Sequence, residues 1–192
     1  MSDFMSDPNN DTKRGEDKAR LKSFWQGTRS QPFVMERLSF GCDCDVFLPT
    51  VGSRLALAMR ASLLQISRLI PPSRLKVAVM RLTGMKIGCS VYVSPGVVVD
   101  PLFPWLVEID DGVILGLGCR VLSHECSVKD FRIGKTRIGE RSVIGAGVTV
   151  RAGVTIGKRV MVGCNSFVNR DIPDDSTVGG VPAKLLTLVA SP

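Results

Sequence analysis

The sequence predicts a mainly β chain, a stack of very short strands and tight corners preceded by a helical segment and a polar tail. Three observations predict it. Gly is frequent at 19 residues while aromatics make up only 6%, a composition suited to short strands between sharp turns. Every sixth residue from Ile138 is a β-branched aliphatic, through Ile144, Val150, Ile156, Val162 and Val168. A helix would space its apolar residues by three and four, and a hairpin ladder would alternate by two. A repeating strand plus corner fits a strict six, because each repeat buries its aliphatic only against the repeats above and below.

Length and composition set the frame for the elements. At 192 residues with 44% hydrophobic and 22% charged content, the chain has room for one compact domain and appendages. Residues 1–32 mix charged, Ser and Asn residues with few apolar anchors, which predicts a flexible polar tail. Residues 33–86 are expected to form an N-terminal helical segment, because residues 50–86 alternate aliphatic and basic residues. Pro71-Pro72 breaks that stretch into two helices. On a helical wheel Arg54, Arg60, Gln65, Ser67 and Arg68 share one arc, with Leu55, Met59, Leu63, Ile66 and Ile70 opposite.

The β stack is expected over residues 87–186. Ile87, Val93 and Val99, then Ile109, Leu115 and Val121, continue the rhythm upstream, and Ser142, Val148, Val154, Val160, Ser166 and Ile172 mark the second position of each repeat. Gly139, Gly145, Gly157 and Gly163 follow four of the aliphatics and are expected to supply the corner conformation. Two breaks interrupt the repeat, one around Pro101-Leu102-Phe103-Pro104-Trp105 and one from Ser123 to Gly134. Both predict loops leaving a regular stack. The second holds His124, the one histidine in the sequence. Residues 187–192 form a C-terminal tail.

Charge and cysteine use narrow the function. The formal net charge is +7, and residues 51–86 alone carry seven basic residues and no Asp or Glu. The basicity is therefore local and argues against a nucleic-acid surface. That stretch has two open roles: a cap in which Leu55, Met59, Leu63 and Ile66 cover the open end of the stack, or a peripheral contact with anionic lipid. Its Arg residues interrupt any apolar run long enough to span a bilayer. The N-terminus lacks the basic start and apolar run of a secretory signal, so a cytoplasmic chain with reduced thiols is expected. Cys42, Cys44, Cys89, Cys119, Cys126 and Cys164 are then expected to serve mostly as small packing residues. With no CxxC pair and one histidine, no metal site is expected.

Particular runs carry a resemblance. Ile144-Gly145-Ala146-Gly147-Val148, Ile156-Gly157-Lys158-Arg159, Val162-Gly163-Cys164-Asn165-Ser166, Asp171-Ile172-Pro173 and Gly180-Val181-Pro182-Ala183-Lys184 together resemble hexapeptide-repeat acyltransferases over residues 85–186. The likeness is greatest to the sugar O-acetyltransferase branch. The resemblance implies a left-handed parallel β-helix with three hexapeptides per triangular coil, a homotrimer with sites between subunits, and acetyl-CoA as cosubstrate. It implies that His124 is the general base toward a sugar hydroxyl. That hydroxyl is a very weak acid, and histidine, with an ordinary pKa of about 6.5, is a base near neutrality. Glu125, Asp130 or a backbone carbonyl would fix the imidazole tautomer.

The resemblance also maps contacts with coenzyme A onto the backbones of Ala146 and Cys164 and onto Asn169, Arg170 and Lys184, whose cations suit its phosphates. Val113-Ile114-Leu115-Gly116-Leu117-Gly118 and His124-Glu125 depart from the galactoside and maltose enzymes, which carry an Asn-rich strand and His-Pro there. The His-Glu form looks more like acetyltransferases of surface glycans, so a glycan or lipid-linked sugar is the expected acceptor. A γ-type carbonic anhydrase would need three histidines. A non-catalytic β-helix scaffold remains the alternative, because folds outlive their sites.

Overall fold

The structure is a computed structural model, and it describes residues 35–38, 54–126 and 131–186 together with Glu16, Ala19 and Ser23. The tails expected at 1–32 and 187–192, Cys42, Cys44 and Asp130 thus lie wholly or largely outside the described residues.

The six-residue period becomes a three-sided parallel stack. The first coil comprises β2 (Lys86–Ile87), β3 (Tyr92–Val93) and β4 (Val98–Val99), and the second β5 (Val107–Ile109), β6 (Ile114–Leu115) and β7 (Arg120–Val121). The third contains β10 (Thr136–Ile138), β11 (Val143–Ile144) and β12 (Thr149–Val150), and the fourth β13 (Thr155–Ile156), β14 (Met161–Val162) and β15 (Phe167–Val168). A partial fifth follows, with a parallel bridge from Ile172 to Ile156 and then β16 (Thr177–Gly179), against which β17 (Lys184–Leu185) turns back antiparallel.

Each strand pairs with its equivalent one coil away. Ile87, Ile109, Ile138 and Ile156 thus form one inward column, Val93, Leu115, Ile144 and Val162 a second, and Val99, Val121, Val150 and Val168 a third. All twelve are buried, at about 1.5–3 kcal/mol for each large aliphatic withdrawn from water. We refer to the sheets of β2, β3 and β4 as faces 1, 2 and 3. Their outward rows differ: Lys86, Glu108, Arg137 and Thr155 on face 1, Tyr92, Ile114, Val143 and Met161 on face 2, and Val98, Arg120, Thr149 and Phe167 on face 3.

The corner glycines have a different reason from the one expected. Gly139, Gly145, Gly157 and Gly163 do not carry positive φ; the left-handed corners fall on Gly147 (φ 68°), Arg141 (φ 57°), Arg159 (φ 54°) and Asn165 (φ 57°). Space is what excludes a side chain at most of the four. A Cβ on Gly145 would lie 2.7 Å from Cys164 N and Val162 O, and one on Gly139 would lie 2.6 Å from Gly157 C. These glycines let one coil settle on the next.

The N-terminal segment begins with a strand rather than a helix. β1 (Met35–Leu38) pairs antiparallel with β9 (Phe131–Gly134), which pairs with β8 (His124–Cys126). The two flanks of the second break are therefore strands of a three-stranded sheet, because a strand from before the stack partners the excursion. Two helices follow at the expected places, α1 (Arg54–Leu69) and α2 (Arg74–Leu82), separated by the two prolines. Ser73 caps α2 by accepting from Lys76 N at 3.3 Å, and Thr83 and Gly84 close it onto Met80 and Arg81.

The two helices cap the first coil, though not through the expected residues. Leu64, Val77 and Met80 join the core, whereas Leu55, Met59 and Ile66 of the expected cap are exposed. Polar groups complete the cover. Arg81 donates to Ile87 O at 2.9 Å and Gly88 O at 2.6 Å, and buried Lys76 donates from Nζ to Ser94 O at 2.9 Å. These carbonyls belong to the first coil, which has no further coil on its outer side. Burial pushes the Lys76 ammonium below the ordinary lysine range.

Candidate active site

Coil register builds the site. Val99 pairs with Val121, so Asp100, one residue beyond β4, lies beneath Leu122 and next to Ser123 and His124. The Asp100 side chain is fully buried. Its Oδ1 accepts from Leu102 N at 2.9 Å and Phe103 N at 3.2 Å, and its Oδ2 accepts from Ser123 N at 3.0 Å and His124 N at 2.8 Å. Oδ2 also lies 2.5 Å from His124 Nδ1. Burial pushes the Asp100 carboxyl up, but hydrogen bonds and charge from His124 and hydrogen bonds from Ser123 outweigh it and hold it below the ordinary carboxylate range. An ionised carboxylate at Nδ1 favours the tautomer with its proton there, which makes Nε2 the basic nitrogen.

The imidazole is further fixed by packing. The Phe103 ring meets it edge to face with centroids 5.4 Å apart, Trp105 meets Phe103 at 5.7 Å, and the Arg60 guanidinium of α1 lies 4.7 Å from the Trp105 centroid. Gly134 N donates to Ser123 O at 2.9 Å and Thr136 Oγ1 to Leu122 O at 2.6 Å, closing the base of the excursion.

Glu125 does not fill the role expected of it. Its carboxylate accepts from Arg151 Nε at 2.9 and 3.1 Å and from Ala152 N at 3.2 Å, which ties β8 to the third coil. Alternation along β8 sends Glu125 to the face opposite His124. The carboxylate at the imidazole is Asp100, which proximity in sequence missed. The six-residue register would have found it, since pairing 99 with 121 sets 100 beside 122.

The residues mapped to coenzyme A divide between two edges of face 3. Ala146 and Cys164 stack at the corner leading into it, where Asn165 N donates to Ala146 O at 2.8 Å. Asn169 and Arg170 lie at the corner leaving it, in the column that holds His124 two coils away, and Lys184 is on β17. A single chain therefore brings His124 onto the same edge as Asn169 and Arg170 and leaves Ala146 and Cys164 one face away. Asn169 Oδ1 is buried with no hydrogen-bond partner among the described residues, and exposed Arg170 and Lys184 have no ion-pair partner there. An orphaned acceptor next to exposed Arg170, with exposed Lys184 on β17, fits a ligand that carries both a hydrogen-bond donor and negative charge.

Two other expectations are corrected or bounded. Cys119 is buried, its thiol pushed up to about 12 by burial, but Cys89, Cys126 and Cys164 are exposed rather than packing residues. Among the described residues no cluster of three His, Cys, Asp or Glu is placed to hold a metal ion.

Three-sided coils, a period of six and glycines packed closely against the next coil at Gly139, Gly145 and Gly157 are the marks of a hexapeptide repeat. Residues 135–170 match the family model described as bacterial transferase hexapeptide (six repeats). The chain therefore carries a hexapeptide-repeat transferase domain, and its fold is the left-handed parallel β-helix of hexapeptide-repeat acetyltransferase structures. Among particular relatives, it is 33% identical over 102 residues to the candidate acetyltransferase YvoF of Bacillus subtilis (strain 168), covering 53% of this chain and 59% of that protein. It is 47% identical over 49 residues to WbbJ of Escherichia coli (strain K12), named as a candidate lipopolysaccharide biosynthesis O-acetyl transferase, covering 26% of this chain and 25% of that one. The chain thus spans about three fifths of YvoF and a quarter of WbbJ. The crystal structure of the hexapeptide-repeat acetyltransferase VCA0836 from Vibrio cholerae superposes with a TM-score of 0.59 at 25% identity, covering 71% of this chain and 93% of that one. A galactoside acetyltransferase solved with coenzyme A shares the fold at a TM-score of 0.57 and 19% identity, over 79% of this chain and 86% of that one.

Proposed function

We propose that this chain is an acyl-CoA-dependent O-acetyltransferase that acetylates a hydroxyl of a sugar or glycan precursor, with His124 as general base. The observation that carries the reading is the buried Asp100 carboxylate at Nδ1 of the only histidine. His124 Nε2 takes the proton of the acceptor hydroxyl, and Asp100 holds the tautomer and balances the imidazolium charge. Acetyl-CoA supplies the acyl group as a thioester. Arg170 and Lys184 meet its phosphates, Asn169 Oδ1 accepts a hydrogen bond that the described residues do not provide, and the backbone at half-buried Ala146 and exposed Cys164 receives the pantetheine.

A homotrimer supports this division of labour. The outward row of face 2, Tyr92, Ile114, Val143 and Met161, is apolar, with Tyr92, Ile114 and Met161 exposed, whereas face 1 is charged. Covering face 2 with a second copy completes a cleft in which one subunit's His124 faces another subunit's Ala146 and Cys164. The name of WbbJ supports a surface-glycan acceptor and a role in polysaccharide biosynthesis, and the proposal places that role in the cytoplasm.

Thiol release from acetyl-CoA against a panel of sugars, nucleotide sugars and glycan acceptors tests the reading. Turnover with one class, lost by at least about a hundredfold in folded His124→Ala, is expected. An unchanged rate in that variant overturns the base assignment. Failure to bind acetyl-CoA at all returns the non-catalytic scaffold.

A further inference from the structure

α1 is inverted relative to an ordinary surface helix. At roughly 100° per residue, Leu55, Met59, Ile66 and Leu69 lie within about 80° of one another, and they are 80%, 58%, 51% and 85% exposed. The opposite side carries buried Leu64 and Ser67, the latter satisfied by donating from Oγ to Leu64 O at 2.7 Å. α2 repeats the arrangement, with Leu75 and Leu82 exposed one above the other and Val77 and Met80 buried. The cap thus turns its narrow side to the stack and presents two apolar stripes outward. A stripe of this kind on a soluble surface calls for a partner.

Charge identifies it. Residues 51–86 hold seven basic residues and no acidic one; Lys76, Arg81 and Lys86 are engaged on the first two coils and Arg60 on Trp105, while exposed Arg68 and Arg74 flank the α1–α2 turn. A second copy of the same hairpin would bring like charge against like charge, which disfavours self-association through this surface. Anionic lipid headgroups complement the cations while the acyl boundary receives the leucines. No helix of the described residues is long and apolar enough to cross a membrane, which suits a helix lying in the interface.

We propose that the α1–α2 hairpin docks the protein, stack end first, on an anionic bilayer surface. The hairpin is tied to the candidate base through Arg60, Trp105, Phe103 and His124 in successive contact, so docking also orients the site. His124 leaves the stack after the second coil, about 10 Å from the capped end at the usual strand spacing of about 4.8 Å, and the α1–α2 layer adds about 10 Å between that end and the bilayer. A sugar carried on a membrane lipid is presented at such a height, which narrows the acceptor to lipid-linked glycans. This last step rests on the acyltransfer reading; the docking does not.

Flotation of the full chain with phosphatidylcholine vesicles, with and without phosphatidylglycerol, tests docking without using transfer activity. Binding that needs phosphatidylglycerol and weakens with salt is expected. The exposed double variant Met59→Glu, Leu69→Glu should bind at least about tenfold more weakly with an unchanged circular dichroism spectrum. Full recovery of the parent chain in the vesicle-free fraction at low salt overturns the proposal. So does a fall in the oligomer mass of the double variant by light scattering, which would assign the stripes to a second copy. If vesicles bind and no acceptor is acetylated, docking stands and the transfer reading falls.

Discussion

Replacing Asp100 by Asn removes one charge and one acceptor from a buried carboxylate that serves five donor groups. An amide has a single oxygen, and it is best used on the side of Ser123 N, His124 N and His124 Nδ1. Its NH2 then faces Leu102 N and Phe103 N, which the carboxylate had satisfied. The buried Phe103 N–H left without an acceptor costs about 1–3 kcal/mol and the part-buried Leu102 N–H less, so the variant should lose about 1–4 kcal/mol of stability near neutral pH. In that orientation Nδ1 keeps its proton but the imidazolium loses its counter-charge, and kcat should fall about 10–100-fold, part of the 10²–10⁴ that a positioned base contributes. If the amide turns the other way, Nδ1 becomes an acceptor, the proton moves to Nε2, and the whole contribution goes. The Michaelis constant for acetyl-CoA should hold in both cases, because Asp100 sits behind the imidazole. Chemical unfolding and steady-state thiol release, run where circular dichroism shows a folded chain, measure the two effects. A folded Asn variant with parental kcat would refute the positioning role, and parental stability would refute the hydrogen-bond count.

The other predictions separate anchoring from chemistry. Glu125→Gln should weaken the tie from β8 to Arg151 and Ala152 and lower the thermal midpoint while leaving kcat within a fewfold at low temperature, as steady-state assays across temperature would show. Arg170→Ala or Lys184→Ala should raise the Michaelis constant for acetyl-CoA more than it lowers kcat, since remote phosphate contacts bind ground and transition states alike. Dephospho-CoA donors should narrow that difference if either residue meets the 3′-phosphate. Asp100, Glu108 and Asp175 are all held below the ordinary carboxylate range, Asp100 and Glu108 despite burial that pushes them up. Their stabilisation is present above about pH 4 and lost as pH falls through their lower folded values, so thermal midpoints should hold to about pH 4 and drop below it.

The period of six made the stack legible because a coil has almost no interior beyond its columns, and a column needs one aliphatic per repeat. What lay outside the period was harder to read. His124 stood out as the single histidine in a break, but its carboxylate sits 24 residues earlier, and only the vertical register joins the two. The Ser123 to Gly134 break read as a loop because its partner strand, Met35–Leu38, lies before the helices. The wheel on α1 separated apolar from basic residues correctly and yet inverted the burial. A helix crossing the end of a prism touches it along a narrow strip, and Leu64 with self-satisfied Ser67 suffices there. Gly139 and Gly145 were legible as corners but for the wrong reason, since inter-coil distance is invisible along a single repeat.

β17 runs against the direction of every other strand on face 2, with Val178 opposite Leu185 and Gly179 opposite Lys184. A parallel stack is self-templating, because the last coil offers the next chain the same ladder that its own coils use. The reversed β17 interrupts that template, since an incoming coil would meet antiparallel backbone on face 2 and a polar Lys184 at its edge. α1 and α2 blunt the opposite end, where Lys76 and Arg81 occupy carbonyls that a foreign strand would need. The molecule therefore has finite length by construction: both ends of a fold that could grow into a fibre are stopped by elements that break its own repeat.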